Sequence, residues 1–305
     1  MPSVPSNLRT LFVAGVLLAI LFILWTTGIW DRRFIAGWPD RRPIGMLHMA
    51  SVGHRSPTNP RGWFNEKSIN VHTPDGIQRF HSMVLAYADR SIRAIREVGG
   101  QGMVVWDLEG EEYDHKITYI GDPRIAETLA PELSGIIDKF FQRYRDAGLK
   151  VGVTIRPQQF RDGQQHNVWD PARLMIEKVA YAKRRWGVSY IQVDTNRWGY
   201  YILPAAILRK VKEAHPDILL IPDHEWPGYH AFCAPLRNLK KEPARPEWLN
   251  WLYPRGFSVV FVSDGDPHTR VEELKAAVRA GDILMFTGWF GDRHNPLVRD
   301  LTMTR

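Results

Sequence analysis

The run Tyr190-Ile191-Gln192-Val193-Asp194-Thr195-Asn196-Arg197 sets an acid at the end of a short, mostly apolar stretch and follows it with polar residues. Short apolar runs bounded by turn-forming residues read as buried strands. The arrangement recurs along the chain. Asp107 ends Met103-Val104-Val105-Trp106, and Arg156 ends Val151-Gly152-Val153-Thr154-Ile155. Asp223 and Glu225 follow Ile218-Leu219-Leu220-Ile221, and Asp264 follows Val259-Val260-Phe261-Val262-Ser263.

Between these runs the apolar residues are spaced as on helices. Ile77, Phe80, Val84, Tyr87, Ile92 and Ile95 predict a helix over 76–98, and similar stretches predict helices over 131–147, 171–186, 201–214 and 268–280. Strands at 44–49 and 282–287 bring the legible strands to seven, while 227–255 reads as irregular. Alternating strands and helices imply parallel pairing with right-handed crossovers, so the expected fold class is α/β, a (β/α)8 TIM-type barrel whose eighth strand is not legible. Neither GxGxxG nor GxxxxGK[ST] occurs, which argues against an open nucleotide-binding sheet. In a barrel, Asp107, Arg156, Asp194, Glu225 and Asp264 would gather at one mouth.

The 305 residues, 44% of them hydrophobic, suffice for one such domain of roughly 250 residues. The expected organisation is a short tail over 1–10, a transmembrane anchor over 11–30, a juxtamembrane linker over 31–43 and the barrel over 44–305. The anchor reading rests on LFVAGVLLAILFILWTTGIW, an uncharged run long enough to cross a hydrocarbon core of about 30 Å. Its bulky end, rich in interfacial tryptophan, lacks the small-residue exit of a cleaved signal peptide. The barrel is expected on the extracytoplasmic side.

A lone cysteine, Cys233, excludes an intramolecular disulfide. The formal charge of +7 is scattered, without a basic block, so no nucleic-acid partner is expected. His48, His54, His115, His166, His224 and His268 fall in predicted loops without HExxH or comparable spacing, so neither a metal nor another cofactor is expected. Trp106, Trp198, Trp226 and Trp289 lie near strand ends, where flat rings can stack on sugar faces. Clustered carboxylates beside such rings suit glycoside hydrolysis, in which one carboxyl attacks or activates water and another donates a proton.

On these residues the chain resembles the clan of α-galactosidase-like and α-glucosidase-like retaining glycoside hydrolases built on TIM barrels. The segment 190–197 is similar to the clan's Tyr-Ile-Lys-Trp-Asp-Met-Asn-Arg on the fourth strand, which implies Asp194 as nucleophile and Gln192 and Asn196 as substrate neighbours. Gly148-Leu149-Lys150-Val151-Gly152 resembles its third-strand run, and Glu225-Trp226 its Glu-Trp element beside the sugar 2-position. Asp107 falls where the clan holds sugar hydroxyls, in a Trp106-Asp107-Leu108-Glu109-Gly110 loop. Ser263-Asp264-Gly265-Asp266 falls where the resemblance implies the sixth strand and its acid/base, with Asp264 ahead of Asp266 because it follows the strand directly.

The expected function is therefore a membrane-anchored glycosidase acting on an oligo- or polysaccharide, with Asp194, Asp264 and Asp266 catalytic. Trp106, Asp107, Glu109, Arg156, Gln192, Asn196, Glu225, Trp226 and Trp289 are expected to bind substrate. Gln192 stands where the clan has Lys, and Asp107 where it has two acids, so the identity of the sugar does not carry over. Two rivals remain: Glu225 as the acid/base, and a barrel that binds carbohydrate without cleaving it.

Overall fold

The structure is a computed structural model that describes residues 13–18, 38–110, 112–113, 116–117, 121–161, 164–198, 201–238, 245–262, 266–287 and 295–303. Eight parallel strands form one sheet: β1 Ile44–Leu47, β2 Gly102–Val105, β3 Lys150–Ile155, β4 Tyr190–Val193, β5 Leu219–Pro222, β6 Leu236–Asn238, β7 Val259–Phe261 and β8 Ile283–Thr287. Their spatial order is β5-β4-β3-β2-β1-β8-β7-β6. The seam between β5 and β6 is narrowed by the Ala234 N–H, which donates to the Leu220 carbonyl at 2.9 Å. The sheet is thus a near-closed barrel.

The eighth strand is β6, which lies inside the stretch read as irregular. Its three residues, Leu236-Arg237-Asn238, offer neither an apolar run nor a resolvable alternation. This corrects the strand numbering, because the run ending before Asp264 is the seventh strand and not the sixth. The stretch 201–204 also differs: Tyr201–Ile202 pairs with Arg197–Trp198 as a small hairpin, and the helix starts at Ala205.

Helices α1 Pro74–Glu97, α2 Ile137–Asp146, α3 Pro171–Trp186, α4 Ala205–Ala214, α5 Glu247–Leu252, α6 Val271–Arg279 and α7 Asn295–Met303 follow the strands. Their starts carry the chemistry that helix initiation needs. The Thr73 hydroxyl accepts the Gly76 N–H and the Asp170 carboxylate the Arg173 N–H, each followed by proline in the first turn. Phe141 of α2 stacks on Trp186 of α3 with ring centroids 4.6 Å apart, joining the two helices over the sheet.

Strand alternation divides the buried residues into two cores. Leu47, Val105, Ile155, Ile191 and Val193 face the helices, whereas Ile44, Met46, Val104, Tyr190, Ile221 and Met285 fill the barrel. Gly152 is required inside, because a Cβ there would lie 2.5 Å from Tyr190 Cβ. Residues 38–43, expected as linker, pack against the N-terminal ends of the strands. The Trp38 ring lies 5.3 Å from that of Tyr190 and its indole N–H donates to Gln101 at 3.2 Å. Asp40 pairs with Lys150 at 2.8 Å. The helical residues 13–18 are exposed, and the rest of the expected anchor lies outside the described residues. Among the described residues no helix is long and apolar enough to cross a membrane.

Candidate active site

Continuing the inward alternation one step past each strand brings His48, Trp106, Arg156, Asp194 and Asp223 to the C-terminal mouth, with Asn238 and Phe261 closing the ring from β6 and β7. Ile155, Val193 and Pro222 are register partners on β3, β4 and β5. The next residue of each is Arg156, Asp194 and Asp223. Their level is held by two further bonds, Asp194 N–H to the Ile155 carbonyl and Asp223 N–H to the Val193 carbonyl, both 2.9 Å.

A cavity of about 210 Å³ occupies this mouth, lined by Met46, His48, Trp106, Asp223, Leu236, Asn238 and Phe261. It is smaller than the roughly 300–1,000 Å³ of drug-sized sites, which suits one sugar ring better than a chain of them. The His48 and Trp106 rings lie 5.9 Å apart, and burial pushes the His48 imidazole down to about 4. His48 is therefore neutral at physiological pH, a hydrogen-bonding ring rather than a cation.

Asp194 is held through one carboxylate oxygen. Arg156 Nε donates to its Oδ2 at 2.7 Å, and both side chains are buried. The Thr195 hydroxyl donates to the same oxygen at 3.2 Å. No hydrogen bond from the described residues engages Oδ1. Thr195 itself holds φ at +47°, an outlier for a β-branched residue of the kind that clusters at functional sites.

Behind Arg156 lies a buried support. Lys178 Nζ donates to the carbonyls of Gly121, Arg156 and Gln158 at 3.1, 2.8 and 2.9 Å, and stands 3.6 Å from Asp122. Desolvation lowers Lys178 to about 8 against the attraction of Asp122. Glu109 is buried close by, its carboxyl facing only the backbone N–H groups of Glu109 and Asp122 without a well-formed hydrogen bond, and desolvation raises it to about 8. Glu109 accordingly enters this network as a neutral acid at pH 7.

The other expected site residues have distinct surroundings. Asp107 has the helix-facing parity of Val105, and its carboxylate accepts the Met49 N–H at 2.9 and 3.0 Å and the Ala50 N–H at 2.7 Å, fixing the loop after β1. Asn196 ties the β4 loop to the β5 loop, accepting the His224 N–H at 2.7 Å and donating to the His224 carbonyl at 3.1 Å. Gln192 lies inside the barrel, where its Oε1 accepts the Thr154 hydroxyl at 3.1 Å and its Nε2 has no partner. Glu225 Oε1 accepts Arg237 Nη1 at 2.5 Å and His230 Nε2 at 3.0 Å. Burial would raise the Glu225 carboxyl, but the His230 hydrogen bond and the Arg237 charge outweigh it and hold it below the usual range. A group held ionised in this way is poorly suited to donate a proton.

Trp226 is exposed beside that cluster. Asp266 is exposed and caps the turn Pro267–Arg270 by accepting the His268 N–H at 3.1 Å. Asp264 and Trp289 lie outside the described residues. Among the described residues no group of three His, Cys, Asp or Glu side chains could hold a metal ion.

In the sequence His48 falls in a loop and Asp223 at a strand end, and neither Asn238 nor Phe261 carries a signal of its own. Counting in steps of two from Met46 and Ile221 reaches the first pair. The second pair required β6 to be recognised and the β7 run to be assigned to the seventh strand.

No protein-family model matches the chain, and no curated protein matches it in sequence. Among solved structures it is similar to the alpha-L-fucosidase isoenzyme 1 from Paenibacillus thiaminolyticus, at 13% identity over 90% of this chain and 76% of that one, with a TM-score of 0.49. It is also similar to the galactosidase domain of an alpha-galactosidase-sucrose kinase, at 13% identity over 72% of this chain and 38% of that one, TM-score 0.48. A maltogenic alpha-amylase from Thermotoga neapolitana matches at 11% identity over 86% of this chain and 76% of that one, TM-score 0.47. These neighbours are glycoside hydrolases, and the likeness is a distant one of architecture, on which many chemistries are built.

Proposed function

We propose that the chain is a glycoside hydrolase that cleaves its substrate with retention of configuration, using Asp194 as nucleophile and Asp223 as acid/base. The observation that carries this reading is the shared level of Asp194 and Asp223 on neighbouring strands, with Asp223 on the wall of a sugar-sized cavity. Adjacent strands run about 4.8 Å apart. Carboxyls projecting from them on one face therefore fall near the separation of about 5–5.5 Å that a retaining double displacement uses.

In that mechanism Asp194 Oδ1 attacks the anomeric carbon while Asp223 gives its proton to the departing glycosidic oxygen. Asp223, now a carboxylate, takes a proton from water as the water oxygen displaces Asp194 and frees the sugar. Arg156 and Thr195 hold Oδ2, so the attacking oxygen is fixed in place. Trp106 and Phe261 offer apolar faces to the ring, and His48 and Asn238 offer polar groups to its hydroxyls. Asp264 is the alternative proton donor. The uncharged run over residues 11–30 supports a membrane-anchored enzyme facing the extracytoplasmic side.

The test uses the full chain in detergent with a panel of dinitrophenyl glycosides. A 2-fluoro glycoside of the sugar that is turned over should label Asp194, and NMR of the first product should show the starting anomer. Asp194→Asn should lose turnover by at least a thousandfold. Azide should restore activity to Asp223→Ala and leave Asp264→Ala unaffected; the reverse pattern assigns the proton transfer to Asp264. A second reading, carbohydrate binding without cleavage, is favoured by the neutralisation of Asp194 and Glu225 by Arg156 and Arg237. Sugar binding with no turnover of any aryl glycoside would establish it.

A further inference from the structure

Outside the helical residues 13–18 and the C-terminal Met303, every large hydrophobic residue exposed among the described residues is aromatic: Trp169 at 94%, Tyr201 at 78%, Trp226 at 45%, Trp248 at 52% and Trp251 at 81%. Three of them share one side of the barrel. Trp169 precedes α3 in the connection after β3, Tyr201 lies in the hairpin after β4 and Trp226 follows β5, whereas Trp248 and Trp251 sit on α5, which Arg245 ties through Gly256, Ala280 and Asp282 to the N-terminal ends of β7 and β8. The first three lie in consecutive connections that leave the barrel at its C-terminal end. They border the side of the mouth where Arg156, Asp194 and Asp223 stand.

From this arc we infer that the protein binds an extended polysaccharide across the β3–β5 rim, with Trp169, Tyr201 and Trp226 as stacking platforms outside the cavity. The inference rests on the glycosidase reading and adds its substrate class: a polymer, of which one residue enters the 210 Å³ cavity while its neighbours lie on the rim. Exposing three aromatic side chains around one mouth carries a hydration cost that a monosaccharide confined to the cavity would not offset. Flat rings with polar tips match the alternately apolar and hydroxylated faces of a glycan chain.

A bilayer is the other surface that attracts exposed tryptophan, but the entry of the chain argues against it. Residues 38–43 pack against Gln101 and Lys150 at the N-terminal ends of the strands. A chain tethered through residues 11–30 would enter the described barrel at Trp38, at the end opposite the aromatic arc.

The experiment is affinity electrophoresis of the full chain in detergent through gels containing α- and β-glucans, galactomannan, galactan, xylan or fucoidan. The wild type should be retarded by at least one polymer, and a Trp169→Ala/Tyr201→Ala/Trp226→Ala variant, whose changes are all at the surface, should lose that affinity at least tenfold. Absence of retardation by every polymer, or equal retardation of the variant, overturns the inference. Fluorescence quenching by brominated lipids in nanodiscs that disappears in the variant overturns it in favour of a membrane contact. Failure of the catalytic reading looks different: polymer retardation by the wild type and by Asp194→Asn, with no turnover by either. Turnover of aryl glycosides without retardation would instead remove the arc and leave the catalytic reading intact.

Discussion

Arg156 Nε and Asp194 Oδ2 lie 2.7 Å apart, on neighbouring strands whose last paired residues, Ile155 and Val193, are in register. The ion pair is a consequence of that register, because one residue of slip would turn either side chain toward the helices. Breaking a buried pair from one side leaves a charge without compensation. Arg156→Met should therefore cost about 3–5 kcal/mol in urea unfolding. The double change Arg156→Met/Asp194→Leu should recover most of that loss, since neither charge then remains.

The support behind the pair should be equally sensitive to volume. Gly121 holds φ at +62°, and a Cβ there would lie 2.6 Å from the Arg156 nitrogen and 2.9 Å from the Ile155 carbonyl carbon. Gly121→Ala is expected to destabilise the fold by about 1–3 kcal/mol. It should also slow labelling of Asp194 by a 2-fluoro glycoside, because the displaced backbone carries Arg156.

Glu109 gives the stability curve a sign that can be checked. Burial raises its folded pKa to about 8 from 4.5, so between those values the folded chain keeps a proton that the unfolded chain has released. Stability from this group is full below about pH 4.5 and falls as pH rises toward 8. Glu109→Gln should match the wild type at pH 4 and exceed it at pH 8, by at most about 5 kcal/mol. Parallel unfolding curves for the two proteins across that range would show that Glu109 is not held as a neutral acid.

His48 should titrate far below an ordinary imidazole. Its ring-proton resonances are expected to shift near pH 4 and not near 6.5, because the ring is pressed between the barrel interior and Trp106. A transition near 6.5 in an NMR titration would mean that the mouth is wetter than the packing implies.

Trp38 should behave as a core residue of the barrel. It seals the N-terminal end against Tyr190 and Gln101, so Trp38→Ala should cost about 3–5 kcal/mol in thermal or urea unfolding. A neutral effect would return residues 38–43 to the status of a linker.

The sequence by itself determined the barrel, most of its strands and the placement of an acid at the end of β4, because apolar runs separated by helical periodicity leave few other packings. It also supplied the uncharged run over 11–30. Tertiary structure decided which strand-end side chains enter the mouth. Asp107 and Trp106 adjoin in sequence, yet alternation turns the tryptophan inward and leaves the acid to bind the backbone of the β1 loop. Strand β6 was hidden because three residues carry no period, and a missing strand shifts the number of every strand after it. The pairing of Arg156 with Asp194 and of Arg237 with Glu225 was likewise invisible, since charge partners 38 and 12 residues apart meet only when the strands are set side by side.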